Sequence, residues 1–264
     1  MWGAHMQYPS IDPVALSIGP VRLHWYGLMY VFAFAAGWLL GKWRASRPWN
    51  DWKGSDVDDL LSWVMLGVIL GARLGYVLFY DLSVYLADPL EIFRVWNGGM
   101  SFHGGLLGVV LATWLWGRRR GRSLVDILDF VAPLVPTGLF FGRVGNFINA
   151  ELWGRPTDCL FGMVFPGAGD MPRHPSQLYE AGLEGLLTFA ILWAYSSRQR
   201  PRGCVAGLFA VLYSLSRMSV EFFRVPDPQI GYLLGGWLTM GQVLCLPLLC
   251  AGLWLFAGGM RKAR

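Results

Sequence analysis

Apolar residues dominate seven stretches of this chain, and polar or turn-forming residues separate them. Several of these stretches approach or reach the roughly 20 residues that an α-helix needs to cross the hydrocarbon core of a bilayer. The pattern predicts an all-α integral membrane protein. Its seven transmembrane helices are expected at about Leu23–Leu40, Leu60–Tyr80, His103–Trp116, Ile127–Ile148, Gln177–Tyr195, Cys204–Phe222 and Leu238–Met260.

Lysine and arginine are distributed unequally between the connections of these segments. They follow the odd-numbered segments as Lys42, Arg44, Arg47 and Lys53, as Arg118, Arg119, Arg120 and Arg122, as Arg198, Arg200 and Arg202, and as Arg261, Lys262 and Arg264. The even-numbered connections carry few of them. Because cytoplasmic loops are enriched in Lys and Arg, we expect the N-terminus outside and the C-terminus in the cytoplasm, which requires an odd number of spans.

The three connections on the outer side are rich in Gly, Pro, Asp and Asn, which are typical of loops, and lie at about 81–101, 149–175 and 224–237. Segments of this length are too short for a large separate domain. We therefore expect residues 1–264 to form a single transmembrane domain, with a small cap on its outer face made of these three connections.

Composition supports lipid as the surrounding medium. Charged residues are 15% of the chain and hydrophobic residues 55%, whereas a soluble domain has roughly 25% charged residues. The net charge of +5 is explained by the basic loops on one side of the membrane, so we expect no nucleic-acid partner. The four cysteines have neither CxxC nor zinc-ligand spacing, and we expect no disulfide framework and no metal.

Polar residues within the apolar segments gather near the ends that are predicted to face outside. Ionisable side chains at membrane depth cost about 2.5–3.5 kcal/mol each on insertion scales, so they mark functional sites by default. The set comprises Tyr26, Arg73, His103, Arg143, Asn146, His174, Tyr179, Glu180, Arg217 and Glu221. We interpret the convergence as a functional cavity in the outer leaflet, with a set of structural ion pairs as the alternative.

The arginines of this set, Arg73, Arg143 and Arg217, outnumber the acids Glu180 and Glu221 within the spans. Guanidinium groups match phosphate oxygens in a bidentate geometry and hold an anion better in a low-dielectric site than in water. The sequence therefore predicts an anionic ligand, and access from the outer leaflet favours a phospholipid headgroup. The two glutamates fit better as partners that orient the arginines than as catalysts.

Two members of the set have an equally simple structural interpretation. Arg73 could be a snorkelling or ion-paired residue, and Tyr26 suits the aromatic belt at a membrane interface. Three glycines of the second segment, Gly67, Gly71 and Gly75, recur at four-residue spacing and predict close packing against another helix.

His103 is the most informative single residue because glycines precede and follow it in Gly98–Gly105, where they let a substrate approach the imidazole. Histidine is the side chain best suited to accept a proton near neutral pH. A thiol with a pKa of about 8.5 needs such help to become a nucleophile. A packing role is the alternative for His103, and His174, between Pro172 and Pro175, could simply shape its loop.

Five stretches carry a recognisable signature. They are His24–Gly27, Met100–Gly105, Gly142–Gly154 with the sequence GRVGNFINAELWG, Arg173–Glu180 with RHPSQLYE, and Arg217–Arg224. With these stretches the chain resembles the prolipoprotein diacylglyceryl transferases from about Ile18 to Gln242. The resemblance implies seven transmembrane helices in the bacterial cell inner membrane, a small periplasmic head, and an active site toward the periplasmic side.

The resemblance also implies two substrates, phosphatidylglycerol and the signal peptide of a prolipoprotein, whose lipobox cysteine accepts the diacylglyceryl group. Glycerol 1-phosphate would leave, and no cofactor is needed. The residues expected to be catalytic are His103, Arg143, Arg217 and Tyr26. Those expected to bind phosphatidylglycerol are Arg143, Arg217, Asn146, Arg73, Glu151, Gly154, Glu221, His174 and Tyr213.

The chain departs from the family pattern at two places. Ala150 stands where many members have glycine, and the outer stretch Arg155–Pro172 is short compared with longer members. The main alternative function is a transporter or flippase for an anionic lipid, since an arginine-lined cavity could bind and release its ligand. Alternating access would need a polar route to the cytoplasmic side, and the inner halves of the predicted spans offer none.

Overall fold

A computed structural model of the chain describes residues 6–94, 98–226, 231–234 and 238–262. The chain divides into two compact units, which are described separately. The first unit comprises Met1–Leu40 and Leu128–Arg264, and the second comprises Gly41–Ile127. Parts of two predicted cap connections, 81–101 and 224–237, lie outside the described residues.

Helices cover most of each predicted apolar segment. They are α1 (Trp25–Ala45), α2 (Gly54–Phe79), α3 (Leu82–Ala87), a 3-10 turn (Pro89–Phe93), α4 (Phe102–Arg120), α5 (Leu124–Val131), α6 (Val135–Ile148), α7 (Ser176–Glu180), a π-helix (Ala181–Leu187), α8 (Thr188–Tyr195), α9 (Cys204–Glu221) and α10 (Met240–Lys262). Within the described residues, α2, α9 and α10 are long and apolar enough to cross a membrane, and α5 with α6 forms a fourth such span if the bent pair is counted as one. The prediction of a mainly helical membrane protein is confirmed at this level.

Several boundaries differ from the predicted ones for identifiable reasons. The fourth segment, predicted as continuous, is broken between α5 and α6, which meet at 55°. Pro133 and Pro136 lie at this break, and proline removes a backbone donor and clashes with the preceding turn of a helix. The third segment, which looked short, is a 19-residue helix that extends into the basic run Arg118–Arg120.

Short strands, which the apolar pattern does not predict, precede some of the helices and lie in the loops. In the first unit, β1 (Met6–Gln7) pairs in parallel with β4 (Met163–Val164), and β2 (Val14–Ile18) pairs with β3 (Val21–His24). A further pair, β5 (Tyr232–Leu234) and β6 (Leu238–Thr239), precedes α10. Tyr8, next to β1, is buried against Phe165 and donates its hydroxyl to the carbonyls of Phe147 and Ile148 at 2.8 and 2.7 Å. The N-terminal strand therefore supports the end of α6.

Glycines allow α2 and α4 to pack closely in the second unit, as the four-residue spacing predicted. A Cβ added at Gly75 would lie 2.7 Å from the Cα of Gly104, and one added at Gly71 would lie 2.7 Å from the Cα of Gly108. Real Cβ atoms do not approach other atoms so closely, so the two backbones touch only because side chains are absent. In the first unit α9 and α10 use the same device, with Gly207 against Gly252.

Gly108→Leu is expected to force α2 and α4 apart, because the added side chain would meet the backbone of Gly67 and Gly71. Overpacking of this kind costs about 1–3 kcal/mol and more where backbone must move. Thermal unfolding in detergent should show a lower midpoint for this variant. Gly37→Leu is the matched control, because a Cβ at Gly37 meets nothing within 4 Å; equal midpoints for both variants would contradict the packing interpretation.

Candidate active site

Six charged side chains meet inside the first unit and form a charge cluster. Its members are Arg143 on α6, Glu180 at the end of α7, Glu184 on the π-helix, Arg217 and Glu221 on α9, and Arg224 just after α9. An isolated charge in a low-dielectric interior is costly, whereas paired charges compensate one another. Three separate stretches of sequence are therefore held together by these pairs.

Glu180 is the centre of the cluster. Its carboxylate is 0% exposed and contacts three guanidinium groups. Arg217 and Arg224 donate to Oε1, the latter at 2.6 Å, and the Nε of Arg143 lies 3.2 Å from Oε2. One buried carboxylate thus fixes the position of all three arginines.

The other two carboxylates complete the pairing. Nη2 of Arg217 lies 3.0 Å from Oε2 of Glu221, one helical turn away on α9, and Nε of Arg224 lies 3.8 Å from the same oxygen. Glu184 is more distant from its partners, at 3.9 Å from Nη2 of Arg143 and 3.9 Å from Nη1 of Arg217. The cluster holds three positive and three negative charges.

This balance corrects the expectation that arginines outnumber acids, because Glu184 and Arg224 were left out of that comparison. The arrangement nevertheless favours an anion. The side chains of Arg143, Arg217 and Arg224 are 20%, 14% and 10% exposed, whereas those of Glu180 and Glu184 are fully buried. A ligand that reaches the cluster therefore meets guanidinium groups first, with the acids behind them.

A second group of polar residues lies beside Arg143, at the end of α6. Nη1 of Arg143 lies 3.5 Å from Oδ1 of Asn146, whose amide donates to Oε1 of Glu151 at 2.8 Å. Tyr26, at the start of α1, interacts with Asn146, and a Cβ at Gly145 would lie 3.2 Å from its ring. The structure thus brings Tyr26 and Asn146 together with Arg143, as the polar pattern of the sequence predicted. Glu151, which only the family resemblance implied, lies beside them.

The loop after α6 is held in an unusual backbone conformation. Ala150 and Leu152 have φ of 52° and 60°, in the left-handed region that favours glycine. Ala150, which stands where many family members have glycine, therefore adopts a backbone conformation that glycine would adopt without strain. Gln177 and Ser176 hold the loop by donating to the carbonyls of Glu151 and Leu152 at 2.6 and 3.0 Å.

Gly154 is predicted to bind the lipid, and the structure shows what its lack of a side chain allows. A Cβ there would meet the carbonyl of Phe223, and it would lie 2.8 Å from both the Cβ and the carbonyl oxygen of His174. The Gly154 amide donates to the His174 carbonyl at 2.8 Å, and Gly154 also bridges to Arg224. Gly154 thus allows the loop to pack directly behind the arginine.

His174 has its own surroundings within the first unit. Its Nδ1 lies 3.2 Å from the Tyr179 hydroxyl and 3.9 Å from Sγ of Cys159, and its ring packs against Phe223. These residues line a pocket of about 520 Å³ whose walls are mainly apolar. Burial lowers the pKa of the His174 imidazole from its ordinary value, so the uncharged ring is favoured.

Tyr213, on α9, lies beside the charge cluster. Its ring stacks on Phe209, and its hydroxyl interacts electrostatically with Arg217 and Glu184.

The second unit contains Arg73 and His103. Arg73 is 4% exposed, and its guanidinium donates to five backbone carbonyls, those of Glu91, Ile92, Arg94, Gly98 and Gly99. Arginine has five N–H donors, so these bonds use all of them. This geometry favours the structural interpretation of Arg73 over the predicted lipid contact.

Arg73→Lys is expected to loosen the segment that leads to α4, because a single ammonium group cannot reach five carbonyls. Each buried carbonyl left unpaired costs about 1–3 kcal/mol. Hydrogen–deuterium exchange should accelerate in residues 89–94. Arg94→Lys is the matched control, since the Arg94 side chain makes only exposed ion pairs with Asp88 and Glu91 among the described contacts. Equal exchange in both variants would contradict this role.

His103 lies in the first turn of α4 and is exposed. Ser101 caps this helix by accepting a hydrogen bond from the Gly104 amide at 3.2 Å, and its own amide donates to the Ala72 carbonyl. His103 lines a groove of about 650 Å³ beside the glycine faces of α2 and α4. An accessible imidazole at a helix start next to an apolar groove is consistent with the predicted proton-accepting role.

Comparison with known proteins identifies the family of this chain. The profile of the prolipoprotein diacylglyceryl transferases matches residues 13–258. The chain belongs to this family. A phosphatidylglycerol–prolipoprotein diacylglyceryl transferase of Nitratidesulfovibrio vulgaris strain DP4 is 61% identical over 257 residues, which are 97% of this chain and 98% of the relative. Proteins of the same name from Oleidesulfovibrio alaskensis and Pseudomonas aeruginosa strain PAO1 are 56% identical over 97% or more of both chains.

Two charged residues of the cluster, Glu184 and Arg224, were not predicted from the sequence as site residues. Glu184 could have been found, because a carboxylate inside a predicted span, four residues after Glu180, is as costly as the acids that were noticed. Arg224 was assigned to a connection, and only the folded chain shows that it turns back onto Glu180. Tyr8 gave no sequence signal at all.

Proposed function

We propose that this chain transfers the diacylglyceryl group of phosphatidylglycerol to the lipobox cysteine thiol of prolipoproteins, forming a thioether and releasing glycerol 1-phosphate. The observation that carries the proposal is the charge cluster, in which three guanidinium groups cover buried carboxylates, in a chain that belongs to this transferase family. Transfer of this group is the first step of bacterial lipoprotein maturation.

The membrane arrangement is part of the proposal. The chain forms a single domain of seven spans in the bacterial cell inner membrane, with the N-terminus in the periplasm and the C-terminus in the cytoplasm. The connections at about 81–101, 149–175 and 224–237 form the periplasmic cap, and the active site faces the periplasm. Three candidate spans among the described residues, or four if the bent pair of α5 and α6 is one span, support this arrangement, as does the one-sided distribution of Lys and Arg.

Arg143 and Arg217 are proposed to bind the phosphate of phosphatidylglycerol. Their side chains are the most exposed of the three arginines, and arginine can donate to two phosphate oxygens at once. Asn146, Glu151, Glu221 and Gly154 are proposed to hold these groups in place, with Tyr26, Tyr213 and His174 lining the site.

The reaction is proposed to be a displacement at the glycerol carbon that bears the phosphate ester. A sulfur–carbon bond forms, the carbon–oxygen bond breaks, and its electron pair leaves with glycerol phosphate. The arginines stabilise the charge that develops on the leaving phosphate, as preorganised donors do in other active sites. His103 accepts the thiol proton, and no cofactor is needed because the lipid itself carries the leaving group.

His103→Gln is expected to lower kcat by about 10²–10⁴-fold, the usual contribution of a general base, with a smaller change in KM. Raising the pH should partly restore the rate, because the acceptor thiol then ionises without help. Initial rates with a natural acceptor peptide between pH 6 and 9 would measure both effects. Full turnover of the variant at neutral pH would remove His103 from the role of base.

The direct test is transfer of labelled diacylglyceryl from phosphatidylglycerol to a lipobox peptide by the purified protein in detergent. Thiol-dependent labelling with release of glycerol phosphate is the expected result, and a peptide with serine in place of the cysteine should remain unlabelled. Binding of the lipid without any transfer would contradict the proposal and favour the transporter or flippase.

A further inference from the structure

Glu184 differs from the other acids of the charge cluster in how it is held. Its side chain is 0% exposed, and neither carboxylate oxygen has a hydrogen-bond partner among the residues that the structure describes. Its ion pairs with Arg143 and Arg217 are long, at 3.9 Å each. Glu180, by contrast, accepts hydrogen bonds from Arg217 and Arg224.

The negative charge of Glu184 therefore depends on the same two arginines that face a ligand. A buried carboxylate without hydrogen bonds is stabilised only by nearby positive charge. With Glu184 ionised the charge cluster is neutral, and a phosphodiester that binds to Arg143 and Arg217 makes it negative. A like charge close to a carboxylate favours the protonated form of that carboxylate.

We propose that Glu184 takes up a proton from water when a lipid phosphate binds to Arg143 and Arg217, and returns it when the phosphate product leaves. The inference rests on the proposed function only for the identity of the anion. Uptake and release cancel over one turnover, so the balance of the transfer itself is unchanged. Glu184 is thus a positioning residue that keeps the cluster electrically balanced as its ligand changes charge.

The neighbours of Glu184 restrict which group can hold this proton. The charged and titratable groups that face it are Glu180 on the preceding turn, Arg143 on α6, Tyr213, Arg217 and Arg224 on or after α9, and Cys245 on α10. Arginines stay protonated, and ordinary tyrosine and cysteine side chains are already protonated at neutral pH. Glu180 is fixed by hydrogen bonds to two arginines, and Glu221 is held by a close ion pair of 3.0 Å with Arg217. Glu184, whose ion pairs are 3.9 Å long, is therefore the acid whose charge is held most weakly.

The experiment measures the affinity for phosphatidylglycerol between pH 6 and 8.5, without acceptor peptide, in nanodiscs of zwitterionic lipid. Coupled uptake of one proton makes the affinity fall by about tenfold per unit as the pH rises between the values at which the free and the lipid-bound carboxyl titrate. Calorimetry in two buffers of different ionisation enthalpy should then count about one proton taken up per lipid bound. Glu184→Gln, which mimics the protonated carboxyl, should bind independently of pH and take up none.

An unchanged pH dependence in Glu184→Gln, or binding by the wild type without proton uptake, would overturn the inference. If that variant does not fold, Glu184→Asp decides, because it should shift the pH range of the uptake; an unshifted range assigns the proton elsewhere. Asp170→Asn, an exposed loop residue, is the control and should behave as the wild type does.

A transfer assay with the lipobox peptide on the same samples separates the two proposals. Transfer without proton uptake contradicts only the role of Glu184. Proton-coupled binding of phosphatidylglycerol without transfer contradicts the proposed function and leaves the role of Glu184 intact.

Discussion

Arg143→Ala is expected to lower the rate of diacylglyceryl transfer by about 10²–10³-fold, the cost of removing one donor that stabilises charge in a transition state. Arg143 is the most exposed of the cluster arginines, and it also connects the cluster to Asn146. Its loss would therefore remove the proposed phosphate contact and the contact of the cluster with the Asn146–Glu151 pair. The measurement is the initial rate of labelling of a lipobox peptide at saturating phosphatidylglycerol.

The fold should survive this change, because Glu180 keeps its hydrogen bonds from Arg217 and Arg224. Arg198→Ala, an exposed arginine beyond α8, is the matched control and should keep the normal rate. Arg143→Lys should recover only part of the activity, because an ammonium group cannot bind two phosphate oxygens in the planar geometry of arginine. A well-folded Arg143→Ala protein with near-normal transfer would remove Arg143 from the mechanism.

Glu180→Ala is expected to have the largest effect on stability. The change removes the one carboxylate that contacts Arg143, Arg217 and Arg224, so three guanidinium groups lose their central partner in a buried site. Breaking a buried ion pair by removing one partner costs about 3–5 kcal/mol. Thermal unfolding of the purified protein in detergent should show a much lower midpoint, and transfer should be lost with the arrangement of the arginines.

Asp170→Ala is the control for Glu180→Ala, because it removes an exposed carboxylate and should leave the midpoint unchanged. The two variants separate a general effect of charge from the specific contacts of Glu180. If Glu180→Ala unfolded at the wild-type midpoint, Glu180 would not be the residue that holds the three arginines together.

The sequence predicted the helices well because their signal is local. A long apolar run must form backbone hydrogen bonds internally in a membrane, and only a helix does this within one segment. The spacing of Gly67, Gly71 and Gly75 likewise predicted close packing, because a helix face without side chains lets the backbone of a neighbouring helix approach it. The break between α5 and α6 could have been anticipated from Pro133 and Pro136, but apolarity alone made the segment look continuous.

The candidate site was predicted in part. Arg143, Asn146, Glu180, Arg217 and Glu221 are all brought together in the first unit, because each is a costly polar residue in an apolar helix and such residues need partners. Residues in connections carried no such signal, so the contact of Arg224 with Glu180 was missed. The five carbonyl contacts of Arg73 were equally invisible, because backbone acceptors are present at every position.

The sequence by itself therefore determined the helical membrane character, the family and most of the polar residues of the site, since these depend on residue type and local pattern. The tertiary structure decided how those residues share their charges. It placed Glu180 among three arginines, and it left Glu184 with long ion pairs and no hydrogen bonds among the described residues. It also packed the loop after α6 against Phe223 and His174 at Gly154. Distances of a few ångströms between segments far apart in the chain determine these interactions, and Coulomb energies depend on such distances and on burial.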